Sequence, residues 1–255
     1  MTTQIAGRRL TETVTDDSPR TDDPASSFPA LLVGIAVEPA GAFREIVARR
    51  NYWAPLVAFT LLQVLFAWMW LDRVDMYEYA RAQAEAAGQE PPPGPAGDAS
   101  IYDFVKLAIG TSMATFTPLV VLATAGLMLF VFNFFLGAEA DFRQCLAVCA
   151  WVSLAVGAIT IPGTLLVLAL RGDWNMDPQN ALATHLGTLL DRRDVAPALY
   201  SAAQSLDLLS FWNMYLLAVG MALASGRSTR TALTAIACLW GVYVVGKSLI
   251  VALLS

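Results

Sequence analysis

The chain has 255 residues, of which 56% are hydrophobic and only 15% are charged. Soluble domains carry about 25% charged residues, so charge has been exchanged for apolar surface. The net charge is −5, the acidic residues lie in connecting segments, and no basic patch with interleaved aromatic residues occurs. These features exclude nucleic acid as a partner.

The N-terminal region precedes any long apolar stretch. Residues 1–28 are polar and contain four aspartates, with no apolar stretch of the kind that signal peptides have. We predict that they form a disordered cytoplasmic tail. Residues 29–51 are predicted to form an interfacial amphipathic segment.

The interfacial segment contains a predicted helix that starts near Pro39. Its apolar residues share one face, which is predicted to lie in the acyl boundary of the bilayer. Three arginines are candidates for contacts with anionic lipid headgroups: Arg44, Arg49 and Arg50. The alternative is a cytosolic helix that packs against the membrane domain.

Five apolar blocks follow, over residues 52–71, 112–136, 144–170, 208–226 and 231–254. Each is long enough to cross a hydrocarbon core of about 30 Å as a helix. Backbone groups in lipid must bond within their own segment, which requires helices. The fold class is therefore all-α: residues 52–255 form a polytopic membrane domain with about five transmembrane helices. A break at Pro162 would divide the third block into two spans.

The distribution of arginines predicts the orientation. With the N-terminus inside, inner segments hold nine Arg or Lys residues and outer segments hold six. Both short inner connections contain arginine, as the positive-inside rule requires. We predict a cytoplasmic N-terminus and, with five spans, an outer C-terminus. The composition, rich in Ala and with more Arg than Lys, indicates a bacterial cytoplasmic (inner) membrane.

The connection after the third block is predicted to form two short amphipathic helices on the outer surface, over residues 181–190 and 198–206. Residues 91–95, four prolines and a glycine, are predicted to form a stiff spacer in the first outer connection. Gln63, Asn133 and Asn213 are polar residues within or at the ends of the spans, and we expect them to bond neighbouring helices.

Lys247 is the only charged residue inside a predicted span. It lies about 10 Å below the outer end of the last helix by helical rise. Three interpretations remain open: snorkelling to the outer headgroups, a structural pair with Asp207, and a transport or proton-relay role. Residues 241–248 also fit a phosphate-binding loop pattern, but they lie inside an apolar block, where helical amides are already bonded.

No residue set predicts catalysis, a cofactor or a metal. Cys145 and Cys149 lie one turn apart, and Cys238 falls at a similar depth, but no fourth ligand is evident and small buried hydrophobic residues are expected. His185, the single histidine, lies in an outer connection without a catalytic partner. We therefore predict that the protein is not an enzyme.

Four stretches of the sequence resemble one family. They are PAGAFREI at 39–46 ahead of Trp53 and Pro55, LGAEADFRQCLA at 136–147, DLLSFW at 207–212 leading to Gly220, and a small-residue turn at 225–231. In this order and spacing, they resemble bacterial members of the Yip domain family, named for Ypt-interacting proteins, over about residues 30–255.

The resemblance implies a five-span helical domain with a cytoplasmic N-terminus and no catalysis. Eukaryotic relatives are linked to prenylated small GTPases and vesicle transport, but this chain has no clear counterpart of their acidic-aromatic signature, so GTPase binding is not carried over. We expect a non-enzymatic protein that acts through the lipid bilayer, membrane-protein partners or its own copies. The alternative is a small-molecule or ion transporter that uses Lys247.

Overall fold

The computed structural model describes residues 26–87, 89–90, 99–190 and 195–254. Within these residues the regular structure is entirely helical. The α-helices are α1 (Phe28–Val37), α2 (Pro39–Arg49), α3 (Trp53–Leu71), α4 (Met76–Ala87), α5 (Ala99–Phe130), α6 (Phe142–Arg171), α7 (Pro197–Ser205), α8 (Leu208–Ser225) and α9 (Thr229–Leu254). A π-helix, Val131–Phe135, extends α5, and two 3₁₀ segments, Pro178–Asn180 and Leu186–Leu189, follow α6. The all-α prediction is confirmed.

Five helices are long and apolar enough to cross a membrane: α3, α5 with its π-helical extension, α6, α8 and α9. The third block is one continuous helix with Pro162 inside it, so the alternative of two spans is wrong. The second span is longer than predicted, because the helix begins at Ala99 and runs through the connection into the membrane segment. Residues 1–25 and 91–95 lie outside the described part of the chain.

The connections between the five long helices gather at two ends: Arg227 donates to the carbonyl oxygens of Leu136 and Gly137 at one end, and Trp70 donates to that of Trp174 at the other. We name one the arginine end: it holds α1, α2 and the short connections 136–141 and 226–228. We name the other the loop end: it holds α4, α7 and the connection 172–190. Helix α6 is central, because α1, α2, α3, α5 and α8 all pack on it.

The core of the bundle is densest at the arginine end. Eight consecutive residues of α6, 145–152, are buried, as is most of α8 from Met214 to Ala224. Gly220 permits this approach: a Cβ atom there would lie 2.5 Å from Val148 Cγ1 and 3.1 Å from Phe43 Cδ1. Helices of membrane proteins meet at small residues because these let the backbones come close.

The connection 172–190 packs against α3 and α4 at the loop end. Trp70 Nε1 donates a hydrogen bond to the carbonyl oxygen of Trp174 over 3.0 Å, and the Asp75 amide donates to Asn175 Oδ1 over 2.8 Å. The predicted helix over 181–190 is wrong, since this segment holds only the 3₁₀ turn Leu186–Leu189, with Ala183 at a positive φ of 50°. The second predicted helix corresponds to α7.

Helix α9 lies at the edge of the bundle. Only 6% of the most apolar stretch of α9 is buried within the structure, and the helix packs mainly on α7 and α8. Residues 241–248 are helical throughout, so they form no phosphate-binding loop.

Candidate functional site

Helices α1 and α2 form a hairpin at the arginine end. The apolar face of α2 is buried against α6 and α8, where Phe43 is 0% and Ile46 is 1% exposed. The prediction that this face lies in the acyl boundary is therefore wrong, because protein covers it; the alternative, a helix packed against the bundle, describes the contact. Helix α1 was not distinguished in the sequence, and its outward face carries exposed Val33 and Val37.

The three candidate headgroup ligands on α2 differ in their surroundings. Arg49 pairs with Glu45, and its Nη1 atom also donates to the Ser26 carbonyl oxygen over 3.1 Å. Arg50 pairs with Asp141 Oδ2 over 3.0 Å. Arg44 is exposed and makes no ion pair with any residue that the structure describes. Of the three, Arg44 has the charge most available to a ligand.

Glu45 ties the start of α1 to α2. Burial raises the pKa of its carboxyl, but hydrogen bonding with Ser26 and the charge of Arg49 outweigh burial and leave this pKa below its usual range. The Ser26 amide donates to Glu45 Oε1 over 2.8 Å. The carboxylate is thus held charged and paired with Arg49, whereas Glu38, between α1 and α2, is exposed and makes no ion pair with a described residue.

A second candidate is a cavity of about 450 Å³ towards the loop end, between α3, α6 and α8 and beneath the 178–184 segment. We name it the polar cavity. Both α3 and α8 pack on α6 but contact each other little, which leaves the space open. Its wall carries hydroxyl and amide groups at Gln63, Ser153, Thr160, Thr164, Ser210 and Asn213.

Asp207 borders the polar cavity at the start of α8. Its Oδ2 atom accepts hydrogen bonds from the amide and the hydroxyl of Ser210, each over 3.3 Å, and so caps the helix. Its Oδ1 atom is buried and has no hydrogen-bond partner in the described part of the chain. A buried carboxylate oxygen without a partner is costly unless another group approaches it.

Lys247 is not part of this cavity. It lies half-buried on α9, and no ion pair joins it to Asp207 or to another described carboxylate. The structure therefore does not form the Lys247–Asp207 pair. Asp207 has a structural role as a helix cap, whereas a functional role for Lys247 stays a prediction.

The three cysteines and His185 form no metal site or catalytic site in the described part of the chain. Cys145 and Cys149 are buried while Cys238 is exposed, and the described residues hold no group of three or more His, Cys, Asp or Glu side chains fit for a metal. His185 is buried and bonds Asn180 Oδ1 through Nε2 over 3.0 Å.

The three polar residues of the spans have different environments. Asn133 bonds both backbone groups of Ala140, over 2.9 and 3.1 Å, and so shapes the connection to α6. Gln63 and Asn213 instead line the polar cavity. The sequence reasoning missed the cavity residues of α6: Ser153, Gly157, Thr160 and Thr164. Their spacing of four, three and four residues places small and polar groups on one face of a helix, and this was the available signal.

The fold and these sites define a polytopic α-helical integral membrane protein. The family model described as the Yip1 domain matches residues 33–250, so the chain belongs to the Yip1 domain family. The family resemblance found in the sequence is confirmed. No curated protein and no solved structure matches the chain.

Proposed function

We propose that this protein is a non-enzymatic component of a bacterial cytoplasmic membrane that organises the bilayer through lipid contacts of its α1–α2 hairpin. In this proposal the arginine end faces the cytoplasm, in keeping with the positive-inside rule. Partner proteins or further copies would assemble on the same membrane domain.

The observation that carries the proposal is the surface of the hairpin. The outward face of α1 is wholly apolar, with Val33 63% and Val37 79% exposed, and the next helix of the hairpin carries the exposed side chain of Arg44. A hairpin with an exposed apolar face and an unpaired arginine matches the acyl and headgroup layers of an anionic leaflet. In water, each valine would forgo about 1 kcal/mol of burial free energy, since both side chains are partly covered already.

The position of α1 is tested by spin labels on the full-length protein in nanodiscs. A label introduced by Val33→Cys, with the exposed Cys238 replaced by Ala, should be relaxed strongly by oxygen and weakly by a polar nickel complex. Ala48→Cys, on the exposed side of α2, serves as the comparison site nearer to water. Stronger relaxation of the Val33 label by nickel than by oxygen would contradict the proposal.

The arginines are tested by the lipids that the protein retains. In nanodiscs of equimolar phosphatidylcholine and phosphatidylglycerol, mass spectrometry should find anionic lipid enriched around the wild-type protein. Arg44→Gln should lower that enrichment about fivefold, because each cation near the surface contributes about 1 kcal/mol. The matched control is Arg81→Gln at the loop end; equal losses in both variants would exclude a headgroup site on α2.

A further inference from the structure

We propose that the polar cavity binds the protonated primary amine of an amphiphile. This proposal is independent of the hairpin's lipid contacts, because the two sites lie towards opposite ends of the bundle.

The charge of the cavity selects a cation. Asp207 is the one acidic residue in its lining, and neither Lys, Arg nor His occurs among the described residues that line it. Asp207 lines this space, its buried Oδ1 atom has no hydrogen-bond partner in the described part of the chain, and no described cation pairs with the carboxylate. An ammonium group in the cavity would compensate this negative charge.

The size and chemistry of the wall favour an organic ammonium group over a metal ion. About 450 Å³ lies within the range of small-molecule pockets and far exceeds one ion. A primary ammonium has three donors and no acceptor. Gln63, Asn213 and Thr160 also line this space, and each side chain has an oxygen that can accept a hydrogen bond. A quaternary ammonium would favour an aromatic cage, whereas Phe59 is the one aromatic residue of this lining.

The neighbouring space favours an apolar body on the amine. A second cavity, of about 380 Å³, lies between α3, α5 and α6 and shares Phe59, Gln63 and Ser153 with the polar cavity. Its remaining wall is mainly apolar, with Met113, Phe116 and Val120 among its residues. An amphiphile would thus place its amine near Asp207 and its chain between α3 and α5. A headgroup amine of a phospholipid and a free alkylamine have this chemistry in common.

The test uses the full-length protein in phosphatidylcholine nanodiscs, with hexylamine as the free-amine probe and hexanol as its neutral counterpart. Titration calorimetry should show hexylamine binding at least about tenfold more tightly than hexanol. In a second arm, nanodiscs of equimolar phosphatidylethanolamine and phosphatidylcholine are used, and native mass spectrometry measures which lipid stays bound. Hexylamine binding assigns the site to a free amine, and enrichment of phosphatidylethanolamine assigns it to a headgroup.

Asp207→Asn is the decisive variant, because asparagine caps helices as well as aspartate does and the charge alone is lost. It should weaken hexylamine binding, or abolish phosphatidylethanolamine enrichment, by about tenfold or more. Asp173→Asn, in an exposed part of the loop end, should leave hexylamine binding and phosphatidylethanolamine enrichment unchanged. If Asp207→Asn does not fold, Asn213→Leu, which removes one wall amide and keeps the charge, should weaken hexylamine binding by a smaller factor. The proposal is overturned if the amine shows no preference over hexanol and neither lipid is enriched, or if binding persists undiminished in Asp207→Asn or, where that variant does not fold, in Asn213→Leu.

Discussion

The two ends of the bundle are built differently. At the arginine end, the buried parts of α6 and α8 meet without intervening polar side chains, and Gly220 brings Val148 and Phe43 close to the α8 backbone. At the loop end, the polar cavity lies between α3, α6 and α8, and the connection above it is built from 3₁₀ turns.

This difference indicates how the chain divides its tasks. Close apolar packing leaves no room for a ligand but stabilises the helix arrangement. A cavity with unsatisfied polar atoms costs stability and is tolerated where function requires it. We infer that the arginine end holds the bundle together and that the loop end is free to bind a ligand. The predictions below compare matched substitutions at the two ends.

Alanine substitutions at two glycines of the bundle should give the largest difference in stability between the two ends. Gly220→Ala forces a Cβ atom to within 2.5 Å of the branched Val148 side chain, and overpacking of this kind costs about 1–3 kcal/mol. Gly163→Ala meets only the flexible tip of Leu182, at 3.0 Å and beside the cavity, so its cost should stay near or below about 0.5 kcal/mol.

Thermal melting in one detergent should therefore show a clear drop for Gly220→Ala and little change for Gly163→Ala. Gly241→Ala on α9, where no atom lies within 4 Å of the new Cβ, controls for replacing glycine in a helix. Equal drops for the Gly220 and Gly163 variants would contradict the proposed difference between the ends.

Alanine substitutions at the capping residues of α6 and α8 should give a smaller difference in stability. Asp141 caps α6 in a capping box with Gln144 and also pairs with Arg50, so Asp141→Ala should cost about 1 kcal/mol. Asp207→Ala removes the cap of α8 but also removes the unpartnered Oδ1 atom, and the second effect offsets part of the first.

The melting temperature should fall more for Asp141→Ala than for Asp207→Ala in membranes that lack amines. Asp141→Asn, which retains a capping side chain but loses the ion pair, should lie between wild type and Asp141→Ala. A larger drop for Asp207→Ala than for Asp141→Ala would show that Asp207 Oδ1 has a stabilising partner in the apo protein.

The sequence predicts the spans of the bundle better than the packing at either end. Five apolar blocks specify five spans, because a backbone in lipid leaves no alternative to a helix. The family resemblance rests on four local patterns, at 39–46, 136–147, 207–212 and 225–231, and the family model matches residues 33–250. The burial of Phe43 was mispredicted, because an amphipathic face fits lipid and protein equally well and only the position of α8 decides between them.

The polar cavity could not be located from the sequence for a related reason. Hydroxyl groups in a span commonly bond the preceding turn of their own helix, as Thr60 and Thr124 do here. Ser153 and Thr160 look the same in sequence, and they form a site because α3 and α8 diverge on either side of α6. That divergence depends on the pairing of helices, which no local pattern records.

The pH dependence of stability should give the smallest effect, and it concerns the hairpin at the arginine end. The folded pKa of Glu45 lies below its unfolded value of about 4.3, so its contribution is present at neutral pH and is lost as pH falls through the folded pKa. Acidification below about pH 4.3 should therefore lower the melting temperature of the wild type more than that of Glu45→Gln. Above that pH the two curves should stay parallel. Because the carboxylate is partly exposed, solvent screening limits the difference to about 1 kcal/mol or less.

Glu85→Gln, which removes an exposed carboxylate paired with Arg81 at the loop end, is the matched control. If Glu85→Gln reduces the acid-induced fall of the melting temperature as much as Glu45→Gln does, the charge of Glu45 does not stabilise the hairpin specifically. The arginine end would then be held by apolar packing alone.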